Sequence, residues 1–170
     1  MSKIRGFEPV APEFRENYYS TIQEHATIKV KDGKWVGEAQ LPQRGSKTSA
    51  GYDFFAPRDI NILPSHKLIV WTDVAAYMQP GEVLQVYPRS SMGIKRGLML
   101  SNTVGIIDSD YYGNEGNGGN IGLALLNTSG KTIQIKKGER FAQGIFTAFL
   151  EADNGNTDEE RAGGMGSTGQ

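Results

Sequence analysis

The sequence predicts an all-β fold of the jelly-roll kind, and three observations lead to this prediction. Short apolar runs alternate with polar residues and favour Ile, Val, Phe and Tyr, which suits half-buried strands. The 22 glycines, against 7 prolines, fall mostly in short clusters between these runs, as in turn-rich β proteins. Many short strands joined by regular turns are typical of a sandwich or barrel.

The apolar runs place the strands along the chain. The expected strands cover residues 26–30, 66–71, 82–88, 120–127, 131–138 and 142–150. The segment "NTSGKT" at 127–132 indicates a hairpin or a tight connection between two of these strands. One short helix is expected near residues 12–24, where a proline precedes a stretch with helical spacing.

The 170 residues have the length and composition of one globular domain, with 38% hydrophobic and 22% charged residues. We expect a single β domain over residues 1–150, with its core in 25–150. Two segments interrupt the pattern: the glycine-rich insert "GNEGNGGN" at 113–120, and residues 151–170, which lose all apolar periodicity. Both are expected to be mobile, and the composition of the insert gives it no folding role.

Charge and cysteine content exclude several classes of function. The net charge of -1 provides no basic footprint for duplex nucleic acid, so no stable nucleic-acid binding is expected. A chain without cysteine has no disulfide framework, no thiolate zinc site and no cysteine nucleophile, which fits a reducing compartment. No long apolar run or signal segment is present, so we expect a soluble cytoplasmic protein without membrane contact. His25 and His66 are far apart and are expected at the surface.

Carboxylates occur at two positions where strands would favour other residues. In "NTVGIIDSDYYG" at 102–113, an apolar arm leads directly into Asp108 and Asp110. Burying an unpaired charge is costly, so these side chains are either solvated or used, and an aspartate-rich turn is the simpler alternative. Asp53 lies in the aromatic stretch "SAGYDFFAP", where a buried strand would favour another hydrophobic residue.

Two further segments carry cationic and hydroxyl groups. "YPRSSMG" at 87–93 joins an arginine to two hydroxyls and a glycine, which suits a phosphate chain, although the serines could simply start a helix. In "KKGERFAQGIF" at 136–146, Arg140 and Gln143 interrupt the apolar pattern of a strand. The chain ends in "RAGGMGSTGQ", which cannot form a packed element of its own.

Five of these segments, in order, resemble the five motifs of the homotrimeric dUTPases, the deoxyuridine triphosphate nucleotidohydrolases. The segments are "AGYDFFAP", "YPRSSMG", "NTVGIIDSDYYG", "KGERFAQGIF" and "RAGGMGSTG", and the resemblance covers roughly residues 39–169. The insert and the N-terminal extension look most like the enzymes of staphylococcal phages, which implies a phage-encoded enzyme in a bacterial host. The resemblance also implies a β-clip jelly-roll subunit in a ring of three, with active sites built from more than one chain.

The reaction implied by this resemblance is the hydrolysis of dUTP to dUMP and pyrophosphate by attack of water on the α-phosphorus. Such an activity keeps uracil out of DNA and supplies dUMP for dTMP synthesis. Asp108 matches the general base of the family. Asp53 would act through water on a Mg²⁺ ion held chiefly by the phosphates, and Gln143 would bind the phosphate region or the attacking water.

The resemblance also implies a set of substrate-binding residues. Asn102 would read uracil within a hairpin over 102–111, and Tyr111 would lie against the deoxyribose, leaving no room for a 2′-hydroxyl. Met165 stands where the family usually has a phenylalanine that stacks on uracil, so the aromatic stack is lost. The remaining members of the set are Arg89, Ser90, Ser91, Gly93, Gly105, Ile107, Arg140, Arg161, Gly166, Ser167 and Thr168.

The last segment, 151–170, is expected to act as an arm that closes over bound nucleotide. Twenty extended residues reach up to about 60 Å, whereas a domain of this size has a radius of gyration of roughly 15 Å. The arm can therefore cross to a neighbouring subunit. Arg161 would pair there with the terminal phosphate, with Ser167 and Thr168 as hydroxyl donors.

Two alternatives share this fold. The chain could be a nucleotide-binding regulatory protein that contacts a repressor through residues 113–120, since exposed loops beside a site often carry such roles. It could instead be a dCTP deaminase-like enzyme, although "IIDSDYYG" has the hydrolase form of the third motif. Asp110 is expected to support the turn or a subunit contact, and Tyr112 to be a surface or packing residue.

Overall fold

The computed structural model describes residues 3–16, 39–155 and 161. These residues contain twelve strands, two short α-helices and one 3₁₀ turn. The strands are β1 Gly6–Pro9, β2 Gln43–Arg44, β3 Tyr52–Phe55, β4 Ile60–Ile62, β5 Lys67–Trp71, β6 Val74–Tyr77, β7 Glu82–Pro88, β8 Leu98–Leu100, β9 Gly105–Asp108, β10 Gly122–Asn127, β11 Ile133–Ile135 and β12 Arg140–Ala148. The helices are α1 Pro12–Glu16 and α2 Ser90–Arg96, and the 3₁₀ turn covers Ser109–Tyr111.

The described strands form four antiparallel sheets. The largest has the order β2-β3-β12-β7-β9, and a three-stranded sheet has the order β5-β10-β8. Two-stranded sheets pair β1 with β6 and β4 with β11. The expectation of an all-β fold with a short N-terminal helix is therefore confirmed.

Period-two alternation explains how the strands build the core. Along β10, every second residue is buried, so Leu123 and Leu125 point inward and their neighbours are only partly covered. On β7, Leu84 and Val86 are fully buried in the same way and pack in one cluster with Phe54 and Phe141. This core fixes the register of β7 against β12 and β9, because a slip by one residue would expose these side chains.

Several predicted elements agree with the structure, and it decides between the two alternatives for residues 127–132. Four strands lie within their expected segments, namely β5, β7, β10 and β11, and β12 overlaps its expected segment. Helix α1 begins at Pro12 as expected. The segment 127–132 connects β10 to β11, but these strands pair with β5, β8 and β4 rather than with each other, so it is a connection and not a hairpin. The expected strand at 26–30 and the helix residues beyond Glu16 lie outside the described residues.

An N-terminal strand was not predicted from the sequence. Strand β1 pairs with β6 and places Phe7 against three aromatic rings, with centroid distances of 5.3 Å to Tyr52, 5.7 Å to Phe54 and 5.2 Å to Phe146. The backbone N–H of Val10, which is buried, donates to Asp73 O at 2.9 Å. Residues 3–16 therefore pack on the β domain.

The glycine-rich insert differs from its expected character. It consists of turns, as its composition indicates, but Asn114, Asn117 and Asn120 are buried, with 8%, 1% and 0% of their surface exposed. The expectation that the insert has no folding role is wrong, because its asparagine amides hydrogen-bond inside the domain where water cannot reach them.

Candidate active site

Three of the motif segments line one cleft. We call it the arginine cleft; its volume is ≈ 530 Å³. It is lined by Gly45, Ser46, Ser49, Ala50, Gly51, Asp53, Arg89, Ser90, Arg140, Gln143 and Ile145. Two guanidinium groups and several hydroxyls facing one space form a site suited to a polyanion.

Strand register explains why these side chains meet. Gln143 on β12 lies opposite Asp53 on β3 and opposite Tyr87 on β7. Arg140 starts β12, and Arg89 follows the last residue of β7 and donates its backbone N–H to Phe141 O at 3.3 Å. Sequence-distant motifs are thus brought together by the pairing of β3, β12 and β7.

Asp53 is the buried centre of the arginine cleft. Only 6% of its surface is exposed, and its two oxygens pair with different arginines. Arg89 Nε lies 2.8 Å from Asp53 Oδ1, and Arg140 Nη1 lies 3.2 Å from Asp53 Oδ2. The carboxylate therefore holds both guanidinium groups in the cleft.

A second cluster lies at the end of β9 and consists of Asp108, Asp110 and Arg161; we call it the acidic cluster. Arg161 Nη2 is 2.5 Å from Asp108 Oδ2, and Arg161 Nε is 2.8 Å from Asp110 Oδ1. The guanidinium carbon of Arg161 also lies 5.7 Å from the centre of the Tyr111 ring. Both aspartate side chains are about half exposed, at 49% and 56%, so they remain accessible to water.

The two clusters are at opposite ends of β7. Asp108 is opposite Val83 near the start of this strand, whereas Arg89 directly follows its end. Six residues of extended chain span about 20 Å, at about 3.3 Å per residue. Within one chain, the backbones of Asp108 and Arg89 are therefore far apart along the strand.

The uracil-binding segment also differs from the expected hairpin. Strands β8 and β9 belong to different sheets, and a tight turn with Thr103 at φ 68° joins them. Asn102 is exposed in this turn and its backbone O accepts from Val104 N at 2.7 Å. Gly105 faces Val86, and Ile107 is buried in the core, so these two residues shape the segment from inside.

The other predicted residues lie on α2, at the surface or outside the described residues. Ser91 and Gly93 lie on α2, and Ser91 lines a neighbouring surface that also includes Arg89 and Arg140. Tyr112 is 41% exposed and donates its hydroxyl to Glu8, in agreement with a surface role. His66 is also exposed, as expected. Met165, Gly166, Ser167, Thr168 and His25 lie outside the described residues.

Two groups of residues at the site were missed by sequence reasoning. Gly45, Ser46, Ser49, Ala50 and Gly51 line the arginine cleft, and the only signal was a serine- and glycine-rich run before Asp53. The insert asparagines surround Tyr111, and their spacing of three residues at 114, 117 and 120 was the available signal.

The described residues contain no group of three or more His, Asp or Glu side chains placed to hold a metal ion. Asp53 alone could contribute, and two arginines already occupy one position on each of its oxygens. A carboxylate has about four lone-pair sites, so Asp53 can still accept from water bound to a hydrated ion. These residues fit a Mg²⁺ ion only through its water shell.

No helix among the described ranges has the length and apolar character needed to cross a membrane.

Comparisons with known proteins give a consistent result. Residues 37–169 match the dUTPase family model. The deoxyuridine 5'-triphosphate nucleotidohydrolase of Lactococcus lactis is 41% identical over 169 residues, covering 98% of this chain and 99% of the relative. The structure of dUTPase from Streptococcus mutans has a TM-score of 0.68 and 36% identity, covering 88% of this chain and 99% of that one.

The expected likeness to staphylococcal phage enzymes is present but weaker. The dUTPase from phage phi11 of S. aureus has a TM-score of 0.60 and 26% identity, covering 71% of this chain and 90% of that one. By each of these measures, the Streptococcus mutans structure is more similar to this chain.

Proposed function

The chain belongs to the dUTPase family, and on this premise we propose that it hydrolyses dUTP to dUMP and pyrophosphate. The arginine cleft is the observation that carries the proposal. It combines Arg89, Arg140, Ser90 and Gln143 around one space of ≈ 530 Å³, which suits a triphosphate. Such an enzyme acts in the cytoplasm, where it keeps uracil out of DNA and supplies dUMP for dTMP synthesis.

Arg89 and Arg140 would bind phosphate oxygens and stabilise the charge that develops as the bond breaks. Their pairing with Asp53 supports this role, because it holds both groups in place before substrate arrives. Ser90 adds a hydroxyl donor in the same cleft, and Gln143 a side-chain amide. A related structure, the Staphylococcus bacteriophage 80alpha dUTPase at 26% identity, has dUpNHpp bound.

Asp108 would act as the general base. Its half-exposed carboxylate can hold a water molecule and take a proton from it as the water oxygen bonds to the α-phosphorus. The bond from the α-phosphorus to its bridging oxygen then breaks, and pyrophosphate leaves. Arg161 would release Asp108 and pair with the terminal phosphate when the arm closes.

The active sites would be shared between subunits of a trimer. The separation of about 20 Å between the backbones of Asp108 and Arg89 along β7 supports this, because a site that uses both residues is more readily assembled from two chains. A neighbouring subunit can supply the missing cluster, and a ring of three would then contain three complete sites.

Magnesium would arrive with the triphosphate. Asp53 would accept hydrogen bonds from its water shell, the only mode that fits the two arginines on this carboxylate. When bound, the ion neutralises charge on the phosphates. A phage phi11 dUTPase at 25% identity is described with a structural Mg(II) ion, which is a different role in that protein.

Base and sugar selection would come from residues 102–111, which contain β9 and the segments before and after it. The turn containing Asn102 would present backbone groups and an amide to uracil, and Tyr111 would close the space beside C2′ of the sugar. Within the arm, Met165, Gly166, Ser167 and Thr168 would cover the bound nucleotide.

The first experiment is an assay of pyrophosphate release from dUTP, dCTP and UTP. Turnover of dUTP alone is expected. Release of ammonia from dCTP would instead identify a deaminase, and binding without turnover would identify a regulatory protein.

A complementation experiment tests the shared sites. Asp108→Asn and Arg89→Ala chains are co-expressed in equal amounts, and each variant alone is expected to be almost inactive. A site is restored when its Asp108 comes from an Arg89→Ala chain and its Arg89 comes from an Asp108→Asn chain. With equal amounts and random mixing in trimers, this holds for about one site in four, so about a quarter of the wild-type activity should return. No recovery in trimers shown to be mixed would mean that each site lies within one chain.

A regulatory role through the insert is the second candidate. One Staphylococcus bacteriophage 80alpha dUTPase, at 26% identity, is described as controlling transfer of virulence genes. In this chain, Glu115 at the tip of the insert is exposed and would contact a repressor, whereas Asn114, Asn117 and Asn120 are buried inside the domain. Substitution of Glu115 tests this role without disturbing the buried amides.

A further inference from the structure

The insert surrounds Tyr111 with asparagine amides. Asn117 Nδ2 donates to the Tyr111 hydroxyl at 2.7 Å, and that hydroxyl donates to Asn120 O, also at 2.7 Å. Asn114 Nδ2 donates to the backbone O of Tyr111 at 2.9 Å and to Asn117 Oδ1 at 2.7 Å. Both ends of the tyrosine, its backbone and its hydroxyl, are therefore fixed by the same short segment.

The asparagines are themselves anchored to the domain. Asn120 Oδ1 accepts from Asp73 N at 3.0 Å, and Asn120 Nδ2 donates to Asp73 Oδ1 at 3.3 Å. Asp73 is fully buried between β5 and β6 and has φ 60°. Because every group in this network lies away from water, breaking one bond leaves a buried polar atom unsatisfied.

The N-terminal segment packs against the other side of the insert. A Cβ atom at Gly118, which has φ +65°, would lie 2.5 Å from Phe14 Cδ2. The Phe14 ring thus lies directly on the backbone of the insert, and only glycine permits this approach. The insert is enclosed between the N-terminal segment and Tyr111.

We infer that Asn117 is a positioning residue for Tyr111, fixing the ring that excludes a ribose 2′-hydroxyl and thereby setting the preference for dUTP over UTP. The inference rests on the proposed role of Tyr111. The geometry supports it because Tyr111 is only 5% exposed and its hydroxyl is held from the side of the insert. The orientation of the Tyr111 ring is therefore fixed, and the ring cannot move aside to make room for a ribose.

The measurable consequence is a loss of discrimination. A looser ring can move aside for a 2′-hydroxyl, so UTP should become a better substrate relative to dUTP. A purely structural role would lower the amount of active enzyme, which affects both substrates equally. The ratio of kcat/KM for dUTP to kcat/KM for UTP cancels that effect.

The experiment compares Asn117→Ala with Asn127→Ala in the full-length protein. Asn127 is also fully buried, and its amide donates to Ile62 O and Lys131 O, both at 2.8 Å, but it does not contact Tyr111 in these bonds. We expect the ratio to fall roughly five- to tenfold in Asn117→Ala. It should stay within roughly twofold in Asn127→Ala, even if both proteins lose stability.

Two further variants separate the possible failures. Tyr111→Phe keeps the ring and removes the shared hydroxyl, so it should lower the ratio even if Asn117→Ala does not fold. Because Asn117 acts through that hydroxyl, adding Asn117→Ala to Tyr111→Phe should hardly change the ratio further. An unchanged ratio in both Asn117→Ala and Tyr111→Phe overturns the inference. An unchanged ratio in Tyr111→Ala would instead refute the proposed role of Tyr111 itself.

Discussion

Two aspartates near opposite ends of β7 differ in burial and in pairing. Asp53, which lies across β12 from the last residues of β7, is 6% exposed and has an arginine on each oxygen. Asp108, beside the first residues, is about half exposed and pairs with one arginine of the C-terminal arm. Under the proposed function, this difference suits Asp53 to organising the binding site and keeps Asp108 accessible to water for chemistry.

The neighbouring strands explain this contrast. Asp53 lies on β3, an inner strand between β2 and β12, and Arg89 and Arg140 cover its carboxylate. At its start, β7 pairs with β9, which is the edge strand of the sheet among the described residues. An edge position leaves Asp108 open to water and to an arm or a neighbouring subunit.

The largest effect is expected from Asp108→Asn. The amide keeps the shape of the side chain but cannot take a proton, so kcat should fall about 10²- to 10⁴-fold while dUTP still binds. Steady-state kinetics and a binding titration measure the two quantities. Asp110→Asn, which changes a carboxylate paired with the same arginine, is the control and should stay within roughly threefold of the parent. Equal activity of Asp108→Asn and the parent would remove Asp108 from its role.

Deletion of residues 161–170 should have the next largest effect. It removes Arg161 from the acidic cluster and leaves the core intact, so kcat should fall by roughly 10²-fold. Light scattering should show the same oligomer as the full-length protein. Dissociation of that oligomer on deletion would identify the arm as a structural element instead.

Asp53→Asn should lower the free energy of unfolding more than Asp108→Asn does. Removing this charge leaves two arginines facing each other around a buried position, although their side chains are 28% and 48% exposed. We expect a loss of about 1–2 kcal/mol in the free energy of unfolding. Asp108→Asn should change it by no more than about 0.5 kcal/mol, since its pair is exposed.

Urea unfolding at one fixed protomer concentration makes these two variants comparable. Equal losses for Asp53→Asn and Asp108→Asn would contradict the distinction between an organising and a catalytic aspartate.

The smallest effect concerns acid stability at Glu8 on β1 and at Glu82, the first residue of β7. The hydrogen bond from Arg5 holds the pKa of Glu82 below its ordinary value of 4.5, and the hydrogen bond from Lys3 does the same for Glu8. Since both pKa values are lower in the folded protein, this stabilisation is present above pH 4.5 and is lost as the pH falls below it. The urea midpoint should therefore decrease slightly from pH 6 to pH 4, and less so in a Glu8→Gln, Glu82→Gln double variant.

An identical decrease in the parent and in the double variant would show that other groups account for the acid sensitivity.

Local sequence patterns predicted the parts of the molecule that depend on short segments. Alternating residues in 82–88 predicted β7, and Arg140 and Gln143 stood out because they interrupt an apolar strand. The ordered motifs indicated a shared nucleotide site. The distance between the two clusters could not be predicted, because it depends on the register of β7 against two partners far away in sequence.

The insert and β1 were missed for a different physical reason. Glycine and asparagine are common in solvated loops, so composition alone favours a mobile segment. The asparagines are buried because their partners, Tyr111 and Asp73, lie on other elements. Strand β1 has one apolar side chain, Phe7, and is ordered by a sheet edge and an aromatic cluster that are formed by later residues.

The pairing of β1 with β6 also bears on aggregation. Among the described residues, β1 is the only strand that pairs with β6, whose Val74, Ala75 and Ala76 are buried. Without β1, the N–H and C=O groups along that edge would be exposed and able to pair with another molecule. Strand β1 thus shields an edge formed by residues some seventy positions later in the sequence. A protein lacking residues 3–16 should accordingly self-associate under conditions in which the full chain stays dispersed.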